Sequence, residues 1–252
     1  MAFNERYNEI LKILTKIKKI TVQELTERLK VSEVTIRKDL SNLEAQGKIL
    51  RTHGGAVLAE DIDQHNTLNI RIKRNIEKKI AIAKKARELV REDDTIYIDA
   101  GSTCYKFAQE IRDMNLRVVT NSLDVILELS QFPNISLFTL GGSFRSDARS
   151  FIGPIAINSL KNFQISTCFL GTSGISREGN FSSQNTIEAE LKSAVIHASN
   201  RKIILADNTK YGISAFSIFA KPDDVDIFIT DSGIKDFENL KSLEIEILIS
   251  NE

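Results

Sequence analysis

Beyond Asp94 the chain repeats one pattern, in which short runs rich in β-branched residues alternate with segments of helical period. The strand-like runs fall at 95–99, 117–120, 135–140, 167–171, 202–206, 226–230 and 245–249. Parallel strands need crossovers of a dozen or more residues, which helices supply. The alternation therefore predicts an α/β domain with a mainly parallel sheet and helices on both faces. Ligands of such sheets bind outside the carboxyl ends of the strands.

The residues at those ends share a chemistry. Asp99, Gly101, Ser102 and Thr103 close the first run; Thr120, Asn121 and Ser122 close the second; Gly141 and Gly142 follow the third; Gly171 and Thr172 follow the fourth. Glycines, hydroxyls and helix N-termini along one sheet edge suit an anion, because first-turn N–H groups lack intrahelical acceptors and the helix dipole favours negative charge there. Ser102 and Ser122 equally suit plain N-caps. Glu188 stands three residues after Asn185, the spacing of a first-turn stabiliser. Asp207 and Lys210 follow the fifth run, where they suit a sugar hydroxyl and a phosphate, or a local ion pair.

The front of the chain reads differently. Tyr7, Ile10, Leu11, Leu14 and Ile17 recur at spacings of three and four, predicting a helix over 4–20. Thr21 and Glu24 form a capping-box pattern that opens a second helix to about Lys30, with Val22, Leu25 and Leu29 inward. Ser32 is a good N-cap for a third helix to about Gln46, and Gly47 is its natural stop. If Ile36, Leu40 and Leu43 face the core, Val34, Thr35, Arg37, Lys38, Ser41 and Asn42 face outward. That face offers cations, hydroxyls, an amide and a methyl-contacting valine, which suit a DNA major groove. A lone helix of this kind is usually just solvated, but two short helices and a tight turn before it make a helix-turn-helix. Residues 48–57 alternate apolar and polar positions around Gly54-Gly55 and read as a hairpin wing that sets Arg51, His53 and Gly54 beside the DNA backbone. The predicted DNA-contacting set is Ser32, Val34, Thr35, Arg37, Lys38, Ser41, Arg51, His53 and Gly54.

Charge supports the division. The whole chain balances 34 basic against 34 acidic residues, yet residues 1–57 hold 11 basic and 7 acidic, leaving 23 and 27 to the remainder. A basic front on an acidic body hints at nucleic-acid contact by one part, though solvated helices reach such an excess by chance and the hint needs a motif. With 42% apolar and 27% charged residues, disordered, collagenous and disulfide-scaffold classes drop out. No apolar run reaches the ~20 residues of a membrane span. Charges at Glu5, Arg6, Glu9, Lys12 and Lys16 argue against a signal peptide, so a cytoplasmic location with no membrane partner is expected. Cys104 and Cys168 read as idle thiols, and His53, His65 and His197 lie too far apart in sequence to suggest a metal; no cofactor is expected.

Specific blocks then carry a resemblance. Val-Ser-Glu-Val-Thr-Ile-Arg-Lys-Asp-Leu at 31–40, Leu-Glu-Ala-Gln-Gly at 43–47 and Arg-Thr-His-Gly-Gly-Ala-Val at 51–57 resemble the signature of DeoR-family bacterial transcriptional regulators. Lys38 stands where that family most often has a second arginine, keeping the charge but losing a planar fork. Asp-Ala-Gly-Ser-Thr at 99–103, Val-Val-Thr-Asn-Ser at 118–122, Leu-Gly-Gly at 140–142, Gly-Pro at 153–154, Phe-Leu-Gly at 169–171, Glu-Ala-Glu-Leu-Lys at 188–192 and Ala-Asp-Asn-Thr-Lys at 206–210 are similar to successive blocks of the family's effector domain. Cys104 stands where relatives often carry threonine.

The resemblance implies a winged helix-turn-helix domain at 1–57, a linker at 58–76, and at 77–252 a Rossmann-like α/β domain for effector binding and oligomerisation, akin to ribose-5-phosphate isomerases and CoA transferases. It implies a repressor of carbohydrate genes whose partners are double-stranded operator DNA, a phosphorylated sugar and further copies of itself, as dimer or tetramer. The competing reading is a sugar-phosphate isomerase with an accessory domain, since Asp99, Glu188, Asp207 and Lys210 are groups that proton transfer beside a carbonyl uses.

Overall fold

A computed structural model of the protein describes residues 3–17, 19–45, 48–52, 54–58, 68–234, 240, 243 and 245–250. The chain forms two units, Met1–Arg74 and Asn75–Glu252.

In the first unit, α1 (Phe3–Ile17), α2 (Val22–Leu29) and α3 (Glu33–Ala45) accompany a small antiparallel sheet. Its strands are β1 (Lys19–Thr21), β2 (Ile49–Thr52) and β3 (Gly55–Leu58), in the order β1-β3-β2. The expected first helix ends early because 19–21 are extended: Ile20 is buried and pairs with Ala56. Thr21 caps α2 as its sequence predicts, its hydroxyl accepting from Glu24 N at 3.2 Å while the Glu24 carboxylate accepts from Thr21 N at 2.8 Å. Tyr7, Ile10 and Leu14 of α1, Leu25 of α2, Ile36, Leu40 and Leu43 of α3, and Ile49 and Ala56 of the sheet make one core. Gly55 sits where a Cβ would fall 2.1 Å from the Ile20 carbonyl oxygen, so β1 and β3 close on each other only with glycine there.

The span read as a linker is not all irregular. Leu58 belongs to β3, and α4 (Leu68–Lys73) occupies part of the span. Leu68, Ile70 and Ile72 alternate in twos, a spacing that conceals a short helix from a search for helical period.

The second unit is built on seven parallel strands: β4 (Thr95–Ile98), β5 (Leu116–Thr120), β6 (Ile135–Thr139), β9 (Ile165–Gly171), β12 (Ser199–Leu205), β14 (Ile227–Asp231) and β15 (Glu246–Ser250). Their order is β15-β14-β12-β9-β4-β5-β6. All seven answer to the strand-like runs of the sequence. Between them lie α5 (Ile76–Arg87), α6 (Ser102–Glu110), α7 (Leu123–Leu129), α8 (Pro154–Leu160) and α9 (Thr186–Ala198), together with a hairpin, β7 (Ser143–Arg145) with β8 (Ser150–Ile152), and an antiparallel sheet, β10 (Gly174–Ile175), β11 (Phe181–Ser183) and β13 (Ser217–Ala220).

The period of two sorts each strand between two cores. Ile96, Ile98, Val118, Phe169, Ile203 and Ile229 pack with Ile82, Phe107 and Val125 of α5, α6 and α7. Tyr97, Val119, Cys168, Leu170, Ile204 and Phe228 pack with Ala156, Leu160, Leu191 and Val195 of α8 and α9. Both sheet faces are thus covered by helices, as a parallel sheet requires. Strands β4, β5 and β6 run outward from the middle in one direction and β9, β12, β14 and β15 in the other, so the winding reverses between β4 and β9.

One buried ion pair fixes the attitude of α3. Asp39 points inward, buried, and is held by the Arg6 guanidinium, whose Nη2 donates to Oδ1 at 3.0 Å. Asp39→Ala removes a charged hydrogen-bond partner of Arg6 and is expected to cost about 1–3 kcal/mol, read as an earlier denaturant midpoint for the first unit.

Candidate functional site

The outward face of α3 is as the sequence anticipates. Ile36, Leu40 and Leu43 are fully buried, whereas Val34 is 78% exposed and Arg37, Lys38 and Ser41 are exposed beside it. Ser32 and Thr35 share a hydroxyl contact of 3.0 Å at the start of the helix. Arg37 Nη2 donates to Glu33 Oε2 at 3.1 Å, one turn back along the same exposed surface. Such exposed pairs are worth ~0.3–0.5 kcal/mol and yield readily to a stronger anion. Arg51, on β2, donates from Nη1 to Ser41 Oγ at 3.0 Å and from its backbone N to Glu44 Oε1 at 3.2 Å, so wing and helix present their polar groups together. Gly54 turns the hairpin at φ +94° and its carbonyl accepts from Val22 N at 2.8 Å. His53 and Gly47 lie outside the described residues.

The second unit gathers its predicted residues along the carboxyl ends of β12, β9, β4, β5 and β6, neighbours in the sheet. Several turn out to serve the frame. Thr120 donates from Oγ1 to Ile98 O at 2.6 Å and accepts from Ser122 N at 3.0 Å, tying β5 to β4. Ser122 caps α7, its Oγ accepting from Val125 N at 3.3 Å. Asn121 donates to Phe151 O at 3.2 Å, while its Oδ1 is buried without a partner among the described residues. Thr172 Oγ1 lies 2.8 Å from Gly174 O and 2.9 Å from Ser182 O, which spends the hydroxyl on the β10–β11 sheet. Gly142 has φ +124° and lies so close to Ile152 that a Cβ would stand 2.5 Å from its carbonyl oxygen; neighbouring Gly141 is exposed.

The start of α6 remains open. Its N-cap is Gly101, not Ser102, and no side chain caps it; a Cβ at Gly101 would meet nothing within 4 Å. The first-turn residues Ser102 and Thr103 follow directly, half-buried and buried.

Asp207 and Lys210 do not pair with each other. The Asp207 carboxylate turns into its own 3-10 turn (Asn208–Lys210), where Oδ1 accepts from Thr209 N at 3.0 Å and from the Thr209 hydroxyl. Asn75 Nδ2 reaches the same oxygen at 3.5 Å. Lys210 closes that turn, half-buried.

The strongest feature lies where the winding reverses, and the sequence concealed half of it. Asp99, at the end of β4, is buried; its Oδ2 accepts from Gly171 N at 3.0 Å, at the end of β9, and from the ammonium of Lys192. Lys192, equally buried on α9, also donates to Gly171 O at 2.9 Å and stands 3.5 Å from Glu188 one turn earlier. Glu188 in turn accepts from Arg145 Nη1 at 2.7 Å, and Arg145 grips Asp147 at 2.8 and 2.7 Å. A chain of alternating charge therefore runs from the exposed Asp147 to the buried Asp99. Burial opposes the Lys192 charge, but Asp99 and Glu188 outweigh it and hold the ammonium above the ordinary lysine range. Burial pushes the Asp99 carboxyl upward, against the pull of Lys192. Glu188 is also the first-turn residue its spacing suggested, since its N donates to Asn185 Oδ1 at 3.0 Å.

Neither Lys192 nor Arg145 stood among the predicted site residues. A signal existed for the first: with Ala189, Val195 and Ile196 it falls on one stripe at helical spacing, and a lysine on an apolar stripe asks for a buried partner. Arg145 carries no such local mark. Both cysteines are free and buried, and burial pushes their thiols up, Cys168 to about 11, consistent with idle use.

Lys192→Met strands the Asp99 carboxylate in the core and is expected to cost about 3–5 kcal/mol. Adding Asp99→Leu to it should recover a large part of that loss in urea unfolding, because the double variant buries no unpaired charge. A double variant as unstable as the sum of the singles would contradict the pairing.

Comparison with known proteins agrees with both halves of the geometry. Residues 6–62 match the DeoR-like helix-turn-helix domain and residues 74–232 the DeoR C terminal sensor domain. The HTH-type transcriptional regulator GolR of Listeria innocua is 38% identical over 231 residues, covering 91% of each chain. The lactose phosphotransferase system repressor of Streptococcus mutans is 37% identical over 236 residues, covering 92% of this chain and 93% of that one. Among solved structures, ribose 5-phosphate isomerase A of Methanocaldococcus jannaschii is similar with a TM-score of 0.41 and 18% identity, covering 54% of this chain and 55% of that one. Two domain matches in order, with relatives this similar along almost the entire length, establish that the chain belongs to the DeoR family of transcriptional regulators.

Proposed function

We propose that the protein is a cytoplasmic repressor of carbohydrate-metabolism genes whose grip on operator DNA is set by a phosphorylated sugar. One observation carries the DNA half: α3 buries a complete apolar stripe and leaves Val34, Thr35, Arg37, Lys38 and Ser41 on its other side, next to Arg51 of the wing. Short polar groups and cations on a rigid helix can address base edges, while Arg51 and Gly54 of the wing follow the phosphates.

The uncapped start of α6 at Gly101, Ser102 and Thr103 supports a phosphate subsite, and the carboxylate-rich edge of Asp99, Glu188 and Asp207 supports sugar hydroxyls beside it. Gly141, Gly142, Gly171, Thr172, Asn121 and Lys210 line the same sheet edge. The loop that carries Asp207 also touches the start of the second unit: Lys78 of α5 donates to Asn208 Oδ1 at 2.6 Å and to Asp231 Oδ1 at 2.8 Å. A ligand that reshapes this loop therefore acts on the segment that follows the DNA-binding unit in sequence. A homodimer or tetramer would set two or more reading heads at the spacing of operator half-sites.

The isomerase reading finds less support. A DNA-reading helix is no part of isomerisation.

The test is a mobility-shift titration of the full chain on DNA upstream of its own gene. Arg37→Ala is expected to weaken binding by about 1–3 kcal/mol, and Arg51→Ala to reduce the slope of log affinity against log salt by about 1. Wild-type affinity and salt slope in both variants would overturn the assignment of this face.

A further inference from the structure

α3 opens on a carboxylate, on the surface of the helix assigned above to DNA. Glu33 is its first residue and is exposed; its Oε2 accepts from Arg37 Nη2 at 3.1 Å, with both side chains about half open to solvent. Val34, Thr35, Lys38 and Ser41 nearby are neutral or cationic, as a surface that meets a polyanion should be. Glu33 goes against that rule. An exposed pair of this spacing returns only about a twofold gain in stability, too little to account for a negative charge facing DNA. Arg51 of the wing is met differently, since its guanidinium donates to the neutral Ser41 hydroxyl.

We propose that Glu33 is a positioning residue for base reading, which holds the Arg37 guanidinium ready for a guanine and turns it away from the phosphates. A guanidinium has five N–H donors; Glu33 engages one at Nη2, and those left suffice for the two-pronged contact with guanine O6 and N7. Those acceptors are neutral, so the carboxylate stays in place when Arg37 meets them. A phosphate can displace the carboxylate, but must then stand beside it, like charge against like. Arg37 is thereby biased towards a base, whereas Arg51 keeps its full charge for the backbone. Holding the side chain in one pose before binding also lowers the cost of ordering it at the interface. Both residues lie in the first turns of α3, the part of a recognition helix that reaches base edges. The inference rests on the DNA-binding reading above and names a determinant of its specificity.

A map of base preference tests it. The stretch upstream of the chain's own gene that the full chain protects from nuclease is copied as duplexes carrying every single base-pair change, and each is titrated at fixed salt. Arg37→Ala is expected to remove about 5- to 150-fold of discrimination at a G·C pair of that stretch. Glu33→Ala is expected to lower discrimination at the same pair by more than the ~2-fold of an exposed ion pair. It should leave the other positions at wild-type preference and bind duplex of unrelated sequence more tightly. With Arg37→Ala already in place, adding Glu33→Ala is expected to change nothing further at that pair. Glu33→Gln, which keeps an acceptor oxygen for Arg37, is expected to fall between wild type and Glu33→Ala. Discrimination is a ratio of affinities on one sample, so a partly unfolded variant still reports it. Loss of preference at a different base pair, which would make Glu33 a base reader in its own right, overturns the proposal, as does an unchanged preference in Glu33→Ala. Failure of the DNA-binding reading is distinct, since the wild type would then protect no stretch at all.

Discussion

A lysine ammonium enclosed between two carboxylates, where the parallel sheet reverses its winding, is the interaction on which the second unit is organised. Asp99 comes from β4, Gly171 from β9, and Lys192 and Glu188 from α9, so a single cluster joins both halves of the sheet to the helix that crosses them. Removing such charges from water costs several kcal/mol per ion, and only close geometry and full hydrogen bonding repay it. An apolar core would hold the fold at least as well. The cluster stands at the carboxyl edge of the sheet, where α/β sheets receive ligands.

The first unit follows a simpler logic. An apolar stripe and one buried ion pair decide which way α3 faces, and everything polar on it is consequently turned to solvent. Orientation of the reading face is thus a product of packing, not of the reading residues themselves. Val34, Arg37 and Lys38 are exposed and bear on no core, whereas Asp39, in their midst, is buried against Arg6 and cannot be varied in the same way.

The sequence disclosed the parallel sheet because each of its strands is a β-branched run ended by glycine, hydroxyl or acidic residues, and each crossover is long enough to be a helix. The strands it concealed are short or made by distant pairing. β1 is three residues at the end of a helical stripe; β10 is two; β11 and β13 meet across more than thirty residues of chain. Their existence depends on partners that local periodicity does not see. The site was legible in the same measure. Residues at strand ends announced themselves by type; Ser122 takes the local N-cap its sequence already allowed, whereas Thr172 is spent on a strand ten residues on, which no local pattern marks. Lys192 was legible in principle as a charge on an apolar stripe, and Arg145 reaches its partner across 43 residues with nothing nearby to foretell it.

Regulation as proposed requires coupling between the two units. A ligand shifts DNA affinity only by the difference in its own affinity for the binding-competent and incompetent states. The decisive measurement is the operator dissociation constant of the full chain, at fixed salt, with and without saturating glucose 6-phosphate, fructose 6-phosphate, ribose 5-phosphate or glyceraldehyde 3-phosphate. A change of about 5- to 150-fold with one of them, corresponding to ~1–3 kcal/mol of coupling, is the result expected here. An operator affinity that stays constant across all four, while one of them demonstrably binds the protein, would contradict the account.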